Sequence, residues 1–306
     1  VTFIILYVAP FYLSPATRPS PTLTRDAPSV IKARIRAVTT SCIVCSTAVF
    51  CLIIYKGNLP PLEALRLLGW FPVSLLDVGK SLLLTALLFM GPVFERGIAE
   101  GGWRRWISAY EWTECLSGWI GWRNFVAGPI TEEVIFRSVI TPLHLMAEFS
   151  PSQIVFITPL YFGIAHVHHF YEFRLTNPHS LVPAILRSLF QFTYTTLFGW
   201  FATFVFLRTG SLPAVILVHA FCNYFGLPRL WGRVEAPVNV LENGLFRGKQ
   251  AQNGGQVEEE YRPLGIGWSV VYYVLLVVGL YAFISGLWVL TESSYALAAF
   301  NHQTTS

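Results

Sequence analysis

The sequence predicts an all-α membrane protein, a polytopic bundle of about eight transmembrane helices enclosing an intramembrane cavity. Three observations carry this. Of 306 residues, 54% are hydrophobic and only 12% are charged, whereas a soluble domain carries roughly a quarter charged residues. Mean hydropathy is positive, at +0.53. Apolar runs long enough to enter a bilayer recur along the chain, and a few ionisable residues sit inside them.

Taken in order, the apolar runs lie near 3–13, 37–55, 76–94, 124–146, 151–166, 184–207, 211–226 and 267–290. The first is short and follows Val1, and is expected as a truncated span. No basic segment with a small-residue cleavage site precedes it, so no cleavable signal peptide is expected. The runs at 151–166 and 211–226 are also short, which a bundle interior tolerates better than a lipid-facing position does. Residues 227–265 form the one long polar stretch, rich in Gly, Gln, Asn and Glu across 241–262, and are read as a flexible solvated loop. No repeat or second domain is visible, so residues 1–306 read as one integral membrane domain with its informative core at 120–230.

The net charge of +4 does not indicate nucleic acid, because the basic residues are scattered between apolar runs. They report topology instead. With eight spans, alternate loops hold sixteen of the 21 basic residues, Arg25, Arg34, Arg123, Arg187 and Arg229 among them. The opposite loops keep Lys56, Arg66, Lys80 and Arg208, and Arg137 lies within the membrane. The arginine-rich side is expected to face the cytosol.

Polar residues inside the spans then fall at one depth. Glu132 and Glu133 follow Arg123 by nine and ten residues, about 14 Å below the surface at 1.5 Å per residue. His166 ends the next helix, and His219 and Asn223 lie in the same half of a third. Glu133 and Arg137 are four apart and share a helix face, which reads as a buried structural ion pair. Glu132 is rotated about 100° away, cannot share that arginine equally, and is the unpartnered carboxylate. His219 and Asn223, again four apart, both donate hydrogen bonds, as a developing oxyanion requires. Alone, that pair would pass as interhelical hydrogen bonding. A glutamate and a histidine converging on one water would make it a nucleophile, which reads as amide hydrolysis.

Three motifs in this order, "EEVIFR" (132–137), "FGIAH" (162–166) and "HAFCN" (219–223), resemble those of the type II CAAX prenyl endopeptidases, the Ras-converting group of glutamate-dependent intramembrane proteases. "FQFTYTTLFGWFATFVFLRTG" and "HAFCNYFGLP" extend the likeness to the eukaryotic branch. The resemblance implies an eight-helix fold in the endoplasmic reticulum membrane, with the site opening to the cytosol. The implied activity removes the last three residues from farnesylated or geranylgeranylated CAAX proteins such as Ras-like small GTPases, with no cofactor and no metal. Glu132 and His166 would activate water, His219 and Asn223 would stabilise the oxyanion, and Glu133 with Arg137 would brace the site. Phe162, Phe190, Phe192 and Tyr194 are candidates for lining a prenyl groove, although aromatic residues at helical spacing are mostly packing and interfacial anchors.

Rival readings rest on single features. His166, His168 and His169 with nearby glutamates would suit a zinc metalloprotease, but "HVHH" lacks the HExxH spacing that sets two ligands one turn apart. His168 and His169 are expected at the membrane surface near the entrance. Cys222, three residues from His219, is a conceivable thiol nucleophile but is expected in helix packing. Cys42 and Cys45 form a CxxC inside an apolar span and read as buried thiols, while Cys51 and Cys115 form no pattern. A non-catalytic scaffold for lipidated proteins would have no use for paired glutamates.

Overall fold

The computed structural model describes residues 2–20, 24–238 and 260–300. They are mostly helical. The helical elements among them that frame the site are α1 (Pro28–Gly57), α2 (Leu75–Leu88), α3 (Met90–Ala99), α4 (119–146), α5 (Pro151–Ala165), α6 (His168–Thr176), α7 (Leu181–Thr209), α8 (Leu212–Phe225) and α9 (Ile266–Gly286). By length and composition α1 and α9 can each cross a membrane, and α2 with α3 counts as a third span, bent by 85°. Pro92 lies just past this bend and cannot donate to the carbonyl four residues back, so the predicted run at 76–94 does not continue straight. Helices α5 and α8 have 15 and 14 residues, about 22 Å each, and lie within the bundle.

The run at 3–13, expected as a truncated span, forms two short helices in direct succession, Thr2–Val8 and Pro10–Leu13. They pack as a plug beside the site: Tyr7 stacks edge-on against Phe136, and its hydroxyl lies 3.3 Å from Thr131 Oγ1. Of the predicted polar loop, the two ends pair as an antiparallel ribbon, Glu235–Pro237 against Tyr261–Pro263. The Gly- and Glu-rich stretch of that loop lies, but for its last residues, outside the described residues.

Local chemistry starts the central helices. Ser150 and Gln153 form a capping box at the head of α5, and Ser211 accepts the Ala214 amide at the head of α8. Helices α5 and α7 approach closely because glycine faces the contact on both sides. A Cβ on Gly163 would lie 2.9 Å from the Phe192 ring, and one on Gly199 would lie 2.6 Å from Pro159 Cβ. Small residues permit such approach where lipid supplies no hydrophobic drive between helices. The main apolar core gathers Val38, Cys45 and Val49 of α1 with Ile135, Phe136 and Val139 of α4 and Val205, Phe206 and Val215 of α7 and α8. Cys42 and Cys45 are buried free thiols in this core, as expected of them.

Candidate active site

Helix α4 turns two neighbouring glutamates to different surroundings. Its α-helical stretch Gly128–Glu133 lies between two π-helical segments, Arg123–Ala127 and Val134–Val139. Such widened turns locally re-aim side chains and often mark functional sites. Glu133 is wholly buried, whereas the Glu132 side chain keeps 21% of its surface open. Glu132 opens into a cavity of about 1060 Å³, at the upper limit of the ~300–1,000 Å³ common for ligand sites.

Behind that cavity Glu133 is the hub of an ion-paired cluster. Its Oε1 accepts Arg137 Nη1 at 3.0 Å and His219 Nδ1 at 2.7 Å. Arg137 reaches on to the Gly199 carbonyl at 3.5 Å, with its guanidinium over the Phe162 and Phe198 rings at 4.9 and 5.5 Å. The pair inferred from four-residue spacing is therefore present, and His219 completes it from 86 residues away. The opposite ring nitrogen, His219 Nε2, lies 3.6 Å from Glu132 Oε2. One imidazole thus stands between the buried and the open carboxylate.

His166 caps the end of α5. Its Nδ1–H donates to the Phe162 carbonyl at 2.8 Å, which leaves Nε2 as the lone-pair nitrogen. Glu132, His166, His219 and Asn223 all line the same cavity. Asn223 Nδ2 donates to the Asn124 carbonyl at 2.9 Å, and an amide nitrogen retains a second hydrogen to give. Phe190 and Tyr194 line the cavity along α7. Phe162 is almost fully buried and touches the cavity only at its floor, packed on Phe136, His166 and Arg137. Phe192 is not among the lining residues and lies against α5 at Gly163.

One residue differs from expectation. Cys222, a partly buried free thiol, reaches the cavity wall instead of being lost in helix packing. His168 and His169 line the cavity, and with Glu172 their donor atoms lie within 4.8 Å of one another. The positive charge at this cluster comes from arginine. Arg34 Nη2 is 2.7 Å from Glu172 Oε1, and Arg25 Nη1 is 3.2 Å from His169 Nδ1 and 3.6 Å from Glu172 Oε2. The Glu172 oxygens are therefore turned to guanidinium donors, while His168 Nδ1–H donates to the Ala165 carbonyl at 2.5 Å and its buried Nε2 meets no hydrogen-bond partner among the described residues. Outside the membrane spans, burial pushes the His169 imidazole down to about 4. Burial would raise the Glu172 carboxyl, but its hydrogen bond to His169 and the charge of Arg34 pull it down to about 2.

Residues 114–225 match the family model described as type II CAAX prenyl endopeptidase Rce1-like, a window that contains every residue of the cavity floor just described. A relative named probable CAAX prenyl protease 2 from Schizosaccharomyces pombe is 41% identical over 232 residues, covering 76% of this chain and 81% of that protein. The chain belongs to the type II CAAX prenyl endopeptidase family. It is accordingly a membrane peptidase. CAAX prenyl protease 2 of Homo sapiens is 35% identical over 228 residues, 70% of this chain and 67% of the relative, and that of Arabidopsis thaliana is 44% identical over 119 residues, 39% of this chain and 38% of the relative. No solved structure matches the chain. Membership favours peptide hydrolysis over the scaffold and zinc-protease readings.

Proposed function

We propose that this endopeptidase cuts the bond after the prenylated cysteine of CAAX proteins with a water held between Glu132 and His166. The observation that carries this reading is the division of labour between neighbours: Glu133 is sealed in an ion pair, while Glu132 and the His166 side chain face one cavity. Water attacks the cysteine carbonyl carbon and gives a proton to Glu132, with His166 Nε2 accepting a hydrogen bond from the same water. The carbonyl oxygen becomes an oxyanion. As the tetrahedral species collapses, the carbon–nitrogen bond breaks and the proton passes to the leaving amine of the tripeptide.

His219 and Asn223 serve as the oxyanion donors in this scheme. In this scheme His219 Nδ1–H donates to Glu133 Oε1, and a second hydrogen on Nε2 donates to the oxyanion. The spare amide hydrogen of Asn223 supplies the second bond.

The substrates are farnesylated or geranylgeranylated proteins, Ras-like small GTPases among them, and residues 1–306 act as one domain. A prenyl chain gains about 0.8 kcal/mol per buried CH₂, and the cavity offers it an apolar wall of Leu88 at the end of α2 and Phe89 at its joint with α3, Leu276 and Leu280 from α9, and Phe190 and Phe201 from α7. The endoplasmic reticulum membrane is the proposed location, with the arginine-rich end toward the cytosol. Arg25 precedes α1, and Arg123 and Arg187 lie in the first turns of α4 and α7, which supports this orientation through the positive-inside bias. The test is release of the tripeptide from a prenylated CAAX peptide by membranes holding wild type or Glu132→Ala. Release by the wild type and its loss in the variant are expected. Equal release would remove Glu132 from the chemistry, and no release by either would sink the activity itself.

A further inference from the structure

The cavity has a charge asymmetry that hydrolysis does not require. Arg25, Arg34, Arg123 and Arg187 line it, while Glu132 is its only lining carboxylate among the described residues. The positive-inside bias explains arginines at this end of the bundle. It does not explain why they face the cavity and not the headgroups.

Two of them adjoin the two halves of the site. Arg123 precedes Asn124, whose carbonyl holds Asn223, and Arg25 contacts His169, whose ring centre lies 5.9 Å from that of His166. Arg123 and Arg25 also meet, through Arg123 Nη1 and the Arg25 carbonyl at 3.4 Å. Opposite them, Arg187 begins a stripe on α7 that runs through Gln191 and Tyr194 to Phe198, which packs on His219 at 4.5 Å. Arg187 makes no ion pair among the described residues; its guanidinium rests over the Phe173 ring at 5.1 Å.

We infer that these arginines, Arg123 and Arg187 foremost, bind the free α-carboxylate at the end of the substrate and so fix cleavage three residues from the terminus. This rests on the proteolytic reading above. Three extended residues span about 10 Å, which from the level of Phe198 reaches that of Gln191 on α7 at 1.5 Å per residue, with Arg187 one turn further out. The long arginine side chain covers that turn. Guanidinium groups match a carboxylate with paired hydrogen bonds, which a peptide interior or a terminal amide cannot offer. Asp26 occupies one face of Arg123, at 2.7 Å, but is itself half-exposed, so an arriving carboxylate can displace or share it.

The test compares a farnesylated CAAX peptide carrying a free C-terminal acid with its C-terminal carboxamide, using full-length protein in phosphatidylcholine vesicles. Wild type should favour the acid by about 10–10² in kcat/KM, the range for one charge-assisted contact. Arg187→Gln, at an exposed position, and Arg123→Gln should each raise KM for the acid about tenfold and leave the amide unchanged. The double variant should treat both peptides alike. Binding of both peptides to Glu132→Gln, read by fluorescence anisotropy, separates recognition from chemistry. A wild type that cuts neither peptide fails the proteolytic reading, whereas equal affinity for acid and amide fails the carboxylate site. Loss of activity on both peptides together, or a response to added phosphatidylglycerol that vanishes in the variants while the acid preference persists, would overturn the inference and assign the arginines to structure or to lipid phosphate.

Discussion

The molecule uses one arrangement at two depths. Beneath the cavity, Glu133 binds Arg137 and His219 Nδ1; at the mouth, Glu172 binds Arg34 and His169 Nδ1. Each is a carboxylate held by one arginine and one imidazole. They differ in what else reaches them. Glu133 and Arg137 are buried to 0% and 1% exposure, whereas Glu172 has a second guanidinium, Arg25, at 3.6 Å and neighbours that remain partly open. The deep cluster therefore ties charge to the fold, while the mouth cluster has substitutes and solvent. The His219 imidazole, proposed here as an oxyanion donor, hangs from the first, and the second lies where His168 and His169 line the cavity.

The largest effect should come from breaking the deep cluster. Arg137→Ala leaves Glu133 buried with only His219 for a partner, at a cost of about 3–5 kcal/mol, and should appear as lost expression and a lowered melting temperature in detergent. Arg34→Ala removes the equivalent arginine at the mouth, where Arg25 remains, and should melt much closer to wild type. Equal losses in the two variants would erase the distinction between the clusters.

Next in size are the donors that the deep cluster presents to the cavity. Asn223→Ala and His219→Ala should each lower kcat about 10²-fold with little change in KM, as the loss of one oxyanion donor does. If both serve one oxygen, the double variant should lose clearly less than the product of the single losses. A multiplicative loss, or one confined to KM, would place the two residues in separate roles. His219→Ala also removes a partner of Glu133, so its melting temperature should fall while that of Asn223→Ala holds.

Much of the deep cluster was legible in the sequence, and little of the mouth. The four-residue spacing of Glu133 and Arg137, and the 100° rotation that frees Glu132, follow from helix geometry alone. The third partner, His219, comes from 86 residues away, and no local period announces it. The π segments on either side of Gly128–Glu133 were equally hidden, because hydropathy runs continuously through them. At the mouth, Arg25 and Arg123 were visible only as topological charge; that they face the cavity depends on how the chain from 24 to 34 folds over α6. Hydropathy does not register the turn before Pro10 in the run at 3–13, nor the 85° bend that divides the run at 76–94 near Pro92.

The smallest expected effect is at the mouth and concerns pH. His169 is held neutral by burial, with its pKa lowered to about 4 against about 6.5 when unfolded. Between those values the unfolded chain takes up a proton that the folded one refuses, so stability is full above about 6.5 and falls as pH drops toward 4. Glu172, lowered to about 2, acts in a later window: its contribution persists until pH falls below the ordinary carboxylate range and is then lost toward 2. Between pH 7 and 5, therefore, the imidazole titrates and the carboxylate does not. Wild type should melt a few degrees lower at pH 5 than at pH 7, and His169→Gln should show a smaller fall. Because Glu172 retains Arg34 in that variant, its melting temperature at pH 5 should lie near that of wild type. An undiminished pH response in His169→Gln would move the titrating group elsewhere, with His168 next, since burial lowers it to about 4 as well.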